Sequence, residues 1–142
     1  MLYLDASALV PCYAPEPWTE QAETLVLGTA QIAVSSLTIA ETKNALVRKL
    51  KAGRLTRAEV EQAHAAIDQH LAANLYLYFV LTDQLFRDVP ALSLAAPVFL
   101  RTADALHLAM AQHLGADLGT FDRDLRTSAQ ARGMTTLPHF PG

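Results

Sequence analysis

Thr102-Ala-Asp-Ala-Leu-His-Leu-Ala-Met-Ala-Gln-His-Leu-Gly-Ala-Asp-Leu-Gly-Thr-Phe-Asp122 is the stretch whose reading decides the fold. Its first part is apolar almost all round the helical wheel, the pattern of a buried helix. Gly115 stops that helix after Leu114, Leu118-Gly119-Thr120 reads as a brief strand, and Asp122 begins a short helix to about Ala131. A buried helix that runs directly into a short strand is half of a parallel α/β unit.

The same alternation extends outward. Downstream, Met134 to Leu137 reads as a closing strand, with a loose tail at 138–142. Upstream, Leu2-Tyr3-Leu4 is a short apolar strand, Pro17 suits the first turn of a helix to about Leu27, and Ile32-Ala33-Val34 is a second strand. Ser35, Ser36 and Thr38 are candidate N-caps for a helix to about Lys51. Gly53 breaks it, and Thr56 with Glu59 forms a capping box that opens a third helix to about Ala73, so 37–73 reads as a helical hairpin. Leu75 to Leu81 is a further strand candidate, and Thr82 to Pro97 reads as helix that Pro90 must kink or restart. The expected fold is an α/β/α sandwich with a mainly parallel central sheet.

With 142 residues, 51% of them hydrophobic, the chain has the length of one domain spanning 1–142 and can bury roughly two thirds of its unfolded surface. A net charge of -3 supplies no global basic field, so nucleic acid would have to be met by a local patch. Cys12 is the one cysteine, which excludes an internal disulfide and a thiolate zinc cluster and fits a reducing cytoplasm. Neither a leader pattern nor an apolar run near the roughly 20 residues of a membrane span is present, and the expectation is a soluble cytoplasmic protein without membrane contact. The absence of GxGxxG, P-loop and GxSxG patterns argues against dinucleotide, nucleoside-triphosphate and serine-hydrolase chemistry.

Four acids fall where such folds collect functional groups. Asp5 ends the first strand, Glu41 lies one turn into the helix after the second, Asp104 opens the apolar helix, and Asp122 follows a late strand. Each also has a plain structural role available: a turn for Asp5, a Thr38–Glu41 capping box for Glu41, an interaction with the helix dipole for Asp104, an N-cap for Asp122. Asp104 resists that reading most, because an unpaired charge in a buried helix costs several kcal/mol, well above the ~1 kcal/mol a dipole returns. Taken together, the four point to a divalent-metal site of oxygen ligands and to phosphodiester hydrolysis. Ser7 is placed to steady Asp5, Asp124 is either a reserve ligand or a solvent-facing residue, and His107 is read as a packed or hydrogen-bonded residue. Six of the eleven Lys and Arg residues lie between Lys43 and Arg57. This strip is either a solvated surface or a contact for RNA phosphates through Arg48, Lys49, Lys51 and Arg54. His64 and Asp68 share a helix face but lack a third ligand.

Leu4-Asp5-Ala6-Ser7-Ala8-Leu9, Ser36-Leu37-Thr38-Ile39-Ala40-Glu41, Leu100 to Ala109 and Thr120-Phe121-Asp122 together resemble PIN-domain ribonucleases of the VapC toxin type. The resemblance spans essentially the full length, and the third piece is its most specific part. It implies a homodimeric endoribonuclease toxin that depends on Mg²⁺ or Mn²⁺ and is neutralised by a cognate antitoxin protein. It also implies Asp5, Glu41, Asp104 and Asp122 as the acidic quartet. The expected division of labour puts Asp5 and Asp104 on the principal ion, with Glu41 and Asp122 completing the pocket through water or a second ion and Asp124 as the alternative to Asp122. The rival of another class is a catalytically silent PIN-like binding module whose acids receive a partner's Arg or Lys side chains. A small-molecule phosphohydrolase would want a second aspartate where Ser7 stands, and a receiver domain an acidic pair after its first strand.

Overall fold

The computed structural model describes residues 1–139. Five strands are present among them: β1 (Leu2–Leu4), β2 (Ile32–Ser35), β3 (Leu77–Phe79), β4 (Asp117–Gly119) and β5 (Thr136–Leu137). They form one sheet in the order β3-β2-β1-β4-β5, and every pairing is parallel. The chain therefore builds outward from β1 in one direction through β2 and β3, then returns to the other side of β1 with β4. The crevice between the carboxyl ends of β1 and β4 is the topological switch point, where ligands bind in open α/β sheets.

Among the described residues seven α-helices connect the strands: α1 (Ala6–Leu9), α2 (Thr19–Leu27), α3 (Ser36–Lys51), α4 (Arg57–Ala72), α5 (Asp83–Ala95), α6 (Thr102–Leu114) and α7 (Arg123–Ala131). A 3-10 turn, Val10–Cys12, follows α1. Alternation along β1 sorts the two cores. Tyr3 packs with Leu92 of α5, Leu106 and Met110 of α6 and Leu125 of α7 on one face. Leu2 and Leu4 pack with Leu9, Ile32 and Val34, and with partly buried Leu25 and Val26 of α2, on the other. Leu46, Val60 and Ile67 form a third, smaller cluster between α3 and α4.

Local signals set most boundaries. Gly115 adopts a left-handed φ of 62° and closes α6, a conformation that a side chain would disfavour. Thr56 and Glu59 form the reciprocal capping box that opens α4. At α3 the box falls elsewhere than expected. Ser35 ends β2 in an extended conformation and accepts from the Thr38 backbone, while the Thr38 hydroxyl accepts in return from Ser35 N, so Glu41 takes no part in capping. Pro90 sits inside α5, which runs as one element from Asp83 to Ala95. Of the expected tail, 140–142 lies outside the described residues, and the Pro138 carbonyl accepts from Arg126 Nη1 at 2.7 Å.

Candidate active site

Asp5 leaves β1 and becomes the N-cap of α1, 4% exposed. Three donors hold its carboxylate: Ser7 Oγ at 2.7 Å and Ala8 N at 3.1 Å on Oδ1, and Thr120 Oγ1 at 2.6 Å on Oδ2. Asp5 N in turn donates to Gly119 O at 3.2 Å, which ties the end of β1 to the end of β4. Gly119 allows that closeness, since a Cβ there would stand 2.5 Å from Leu4 Cδ2. Burial raises the Asp5 carboxyl above its ordinary range; the nearby His107 ring and the three hydrogen bonds oppose that shift without cancelling it.

Thr120 is the hinge of the arrangement and was not singled out by its residue type. It is fully buried, its hydroxyl also accepts from Asp122 N at 3.0 Å, and its carbonyl accepts from Arg126 Nη2. Phe121 N donates to Ser7 Oγ at 2.8 Å. The loops after β1 and β4 are therefore one hydrogen-bonded unit.

Glu41 reaches the same region from α3. Its Oε1 is met by Nε2 of His107, a residue of α6 only 2% exposed. The other ring nitrogen, Nδ1, lies 2.7 Å from the Tyr3 hydroxyl, which also contacts Ser35 Oγ at 2.8 Å and accepts from Thr38 Oγ1 at 3.2 Å. An ionised carboxylate can only accept, so Nε2 carries a proton, and in a neutral ring Nδ1 accepts from Tyr3. Burial pushes the Tyr3 phenol far above its usual range, keeping its proton in place for that bond.

Asp104 lies in the first turn of α6 with a side chain 16% exposed, and Arg101 Nε donates to its Oδ2 at 3.3 Å. Burial raises its carboxyl, and the charge of Asp122 raises it further, against the opposing pull of Arg101. Asp122 accepts from Leu125 N at 2.8 Å as the N-cap of α7, so its structural role is real and coexists with its place in the cleft. Asp5, Ser7, Glu41, Arg48, Trp18, Arg101, Asp104, His107 and Asp122 line one cleft of about 250 Å³. Asp124 does not line it; its side chain is 54% exposed and lies 4.0 Å from Arg123.

The basic strip divides. Arg48 lines the cleft, but Lys49 pairs with Glu16 at 2.7 Å and its side chain is only 12% exposed. Lys43 pairs with Asp68 at 2.6 Å and its carbonyl meets His64 Nε2 at 2.9 Å, so His64 and Asp68 join α4 to α3 rather than forming a ligand pair. Lys51 and Arg54 stand at the far end of α3 and just beyond it, and neither lines the acidic cleft.

The description of a PIN domain matches residues 2–130 of this chain. The chain belongs to the PIN-domain family. Ribonuclease VapC46 of Mycobacterium tuberculosis is 32% identical to this PIN domain over 139 residues, covering 96% of this chain and 95% of that protein, which sets it in the VapC branch. The crystal structure of VapC20 of the same organism, a Sarcin-Ricin loop cleaving toxin, has a TM-score of 0.74 at 18% identity, covering 95% of this chain and 97% of its own. FitAcB of Neisseria gonorrhoeae has a TM-score of 0.73 at 16% identity, with 97% of each chain covered. These two structural likenesses speak for the fold.

The donor set of this PIN domain suits a hard dication. Its acids offer oxygen alone, and Asp5 and Asp104 both sit where burial penalises their charge, a cost that a cation would relieve. Among the described residues no three acid, histidine or cysteine side chains stand close enough to form a ready-made cage. Arg101 meets Asp104 and His107 meets Glu41, so two of the four acids already have a partner in the cleft. Arg101, Tyr3 and Thr120 are the site residues whose roles were not read from the sequence, and for His107 the hydrogen-bonded role was read but not its partner Glu41. The signal for Arg101 was its place three residues before Asp104, a spacing that lets the two side chains meet on a helix start.

Proposed function

We propose that this PIN domain is a Mg²⁺- or Mn²⁺-dependent endoribonuclease, the toxin of a toxin–antitoxin pair. The observation that carries the reading is the convergence of Asp5, Glu41, Asp104 and Asp122, distant in sequence, on one cleft at the switch point of the sheet. Its membership in the VapC branch supports RNA as the substrate and a cognate antitoxin as the partner.

In this reading Asp5 and Asp104 hold the principal ion, while Glu41 and Asp122 complete the pocket through water. Mg²⁺ or Mn²⁺, when bound, makes a water more acidic and neutralises charge gathering on the phosphate. The residues supply the rest. Ser7, Ala8 N and Thr120 fix the Asp5 carboxylate so that no reorganisation is needed on binding. His107 fixes Glu41 from behind, and the carboxylates serve as proton acceptors without a further general base. Arg101, 76% exposed beside the acids, and Arg48 on the same cleft can meet phosphate oxygens and set the backbone in place.

A homodimer is supported by the apolar side chains that β3 and α5 leave exposed, among them Tyr78, Phe86 and Leu94 at 50%, 51% and 89%. No helix among the described residues is long and apolar enough to cross a membrane. Incubating the purified chain with total cellular RNA, in Mg²⁺ or Mn²⁺ and in chelator, tests the reading. Cleavage is expected only with the ion and only with Asp104 intact; wild-type cleavage by Asp104→Asn would overturn the site, and intact RNA throughout would favour the silent binding module.

A further inference from the structure

Trp18, the chain's one tryptophan, stands beside this cleft in a manner that the catalytic reading does not use. It precedes α2, yet both of its anchors stand beside the acids that follow β1 and β4. Its indole Nε1 donates to the carbonyl of Ser7 at 3.2 Å, two residues after Asp5. Its ring stacks on Phe121, one residue before Asp122, with centroids 5.8 Å apart and planes inclined by 22°. The side chain is half-buried and shares the lining of the cleft with Asp5, Asp104, Asp122, Arg48 and Arg101.

We propose that Trp18 is a stacking platform for an unpaired RNA base next to the phosphodiester that is cut. The inference rests on the nuclease reading above and adds to it the part of the substrate that the acids do not touch. A phosphate bound between carboxylates and arginines carries a base on each side, and an aromatic face at that cleft is the surface such a base can cover. Arg48 and Arg101 provide charge for the backbone but no flat apolar surface. Trp18 provides that surface already ordered, because a hydrogen bond at one edge and Phe121 against one face fix the ring before any ligand arrives, which lowers the ordering cost of binding. A base inside a duplex has neighbours on both faces and cannot reach the ring without unstacking, so the platform selects RNA that is single-stranded at the cut.

The test uses a 12-nucleotide single-stranded RNA that spans a cleavage position mapped from total RNA, and copies in which single nucleotides around the cut are made abasic. With the wild-type chain, one abasic position within two nucleotides of the cut is expected to raise KM or Kd about tenfold. With Trp18→Leu, that same abasic position should bring almost no further loss, because the platform it would have lost is gone. Binding is read in chelator, where the RNA stays whole, from the emission of the single tryptophan in the wild-type chain and from RNA anisotropy in both. A circular-dichroism melt checks that Trp18→Leu is folded, and the abasic series on the unaltered protein carries the test if it is not. An abasic penalty equally large in Trp18→Leu, or no sensitive position at all on the wild-type chain, would overturn the platform while leaving the nuclease standing. A wild-type chain that cuts no RNA would remove the nuclease reading and this inference with it.

Discussion

His107 of α6 holds Glu41 of α3 through Nε2 while its Nδ1 lies 2.7 Å from the hydroxyl of Tyr3 on β1. Both ring nitrogens are engaged, so the imidazole has no freedom to turn, and the cleft acid is linked through it to a buried hydroxyl cluster of Tyr3, Ser35 and Thr38. The pair is thus a positioning device that joins three elements of the fold.

His107→Phe keeps a planar ring there, somewhat larger than imidazole, and deletes both bonds. Tyr3 keeps Ser35 and Thr38 as partners, so the fold should survive. Glu41 would lose its tether, and RNA cleavage is expected to fall roughly 10- to 100-fold, as when partners that orient ligand residues are removed. Steady-state cleavage of an RNA oligonucleotide beside a thermal melt measures this. Unchanged kcat/KM in a folded variant would restrict His107 to packing.

Asp104→Asn should separate stability from activity. Burial and the neighbouring Asp122 charge raise the Asp104 carboxyl, so the native fold carries a penalty whenever that group is ionised. The sign follows from linkage: the folded chain holds its proton at pH values where the unfolded chain, with a carboxyl near ~3.9, has lost it. The contribution of Asp104 to stability is complete below that value and is lost as pH rises through the raised folded value. Asn carries no charge and escapes the loss. Urea unfolding is expected to show Asp104→Asn gaining on wild type as pH rises from the ordinary carboxyl range toward neutrality, with cleavage abolished. A gap that shrinks with rising pH would contradict the burial argument.

Divalent ions should act in the opposite sense on the wild-type chain. An ion that binds only the folded state adds about 2.7 kcal/mol at a hundred times its dissociation constant. Mg²⁺ or Mn²⁺ is therefore expected to raise Tm at neutral pH, and the rise should vanish in Asp104→Asn. Equal shifts in both proteins would place the ion elsewhere on the molecule.

The parts of this structure that could be read from the chain are those encoded within a few residues. Gly115 stops α6, Thr56 and Glu59 open α4, and acids stand just past β1 and β4; each signal lies inside one turn or one strand end. Glu41 shows where such reading fails. Thr38-Ile-Ala-Glu41 has the pattern of a capping box, but Ser35 occupies the cap because β2 ends there, and that depends on how β2 pairs with β1 and β3. His107 was legible as a packed, hydrogen-bonded residue, whereas its partner, 66 positions away in sequence, was not. Lys49 looked like part of an open basic strip until Glu16, from another segment, was seen to cover its charge.

Thr120 offers the sharpest check on how the acids are held. Its hydroxyl donates to Asp5 Oδ2 at 2.6 Å and accepts from Asp122 N at 3.0 Å, so one buried oxygen serves two of the four carboxylate residues. Thr120→Val keeps the shape and removes that oxygen. The buried Asp5 carboxylate would then keep Ser7 and Ala8 N alone, and Asp122 N would lose its acceptor, at a cost of about 1–3 kcal/mol in stability. Cleavage should drop as well, since Asp5 would be held at one oxygen instead of two. Thr120→Ser restores the hydroxyl without the methyl and should recover most of the activity, even where the smaller side chain leaves the melt lower. If Thr120→Val unfolds more easily but cuts RNA as fast as wild type, the hydroxyl serves the fold and not the site, and the position of Asp5 must be set by the Ser7 turn instead.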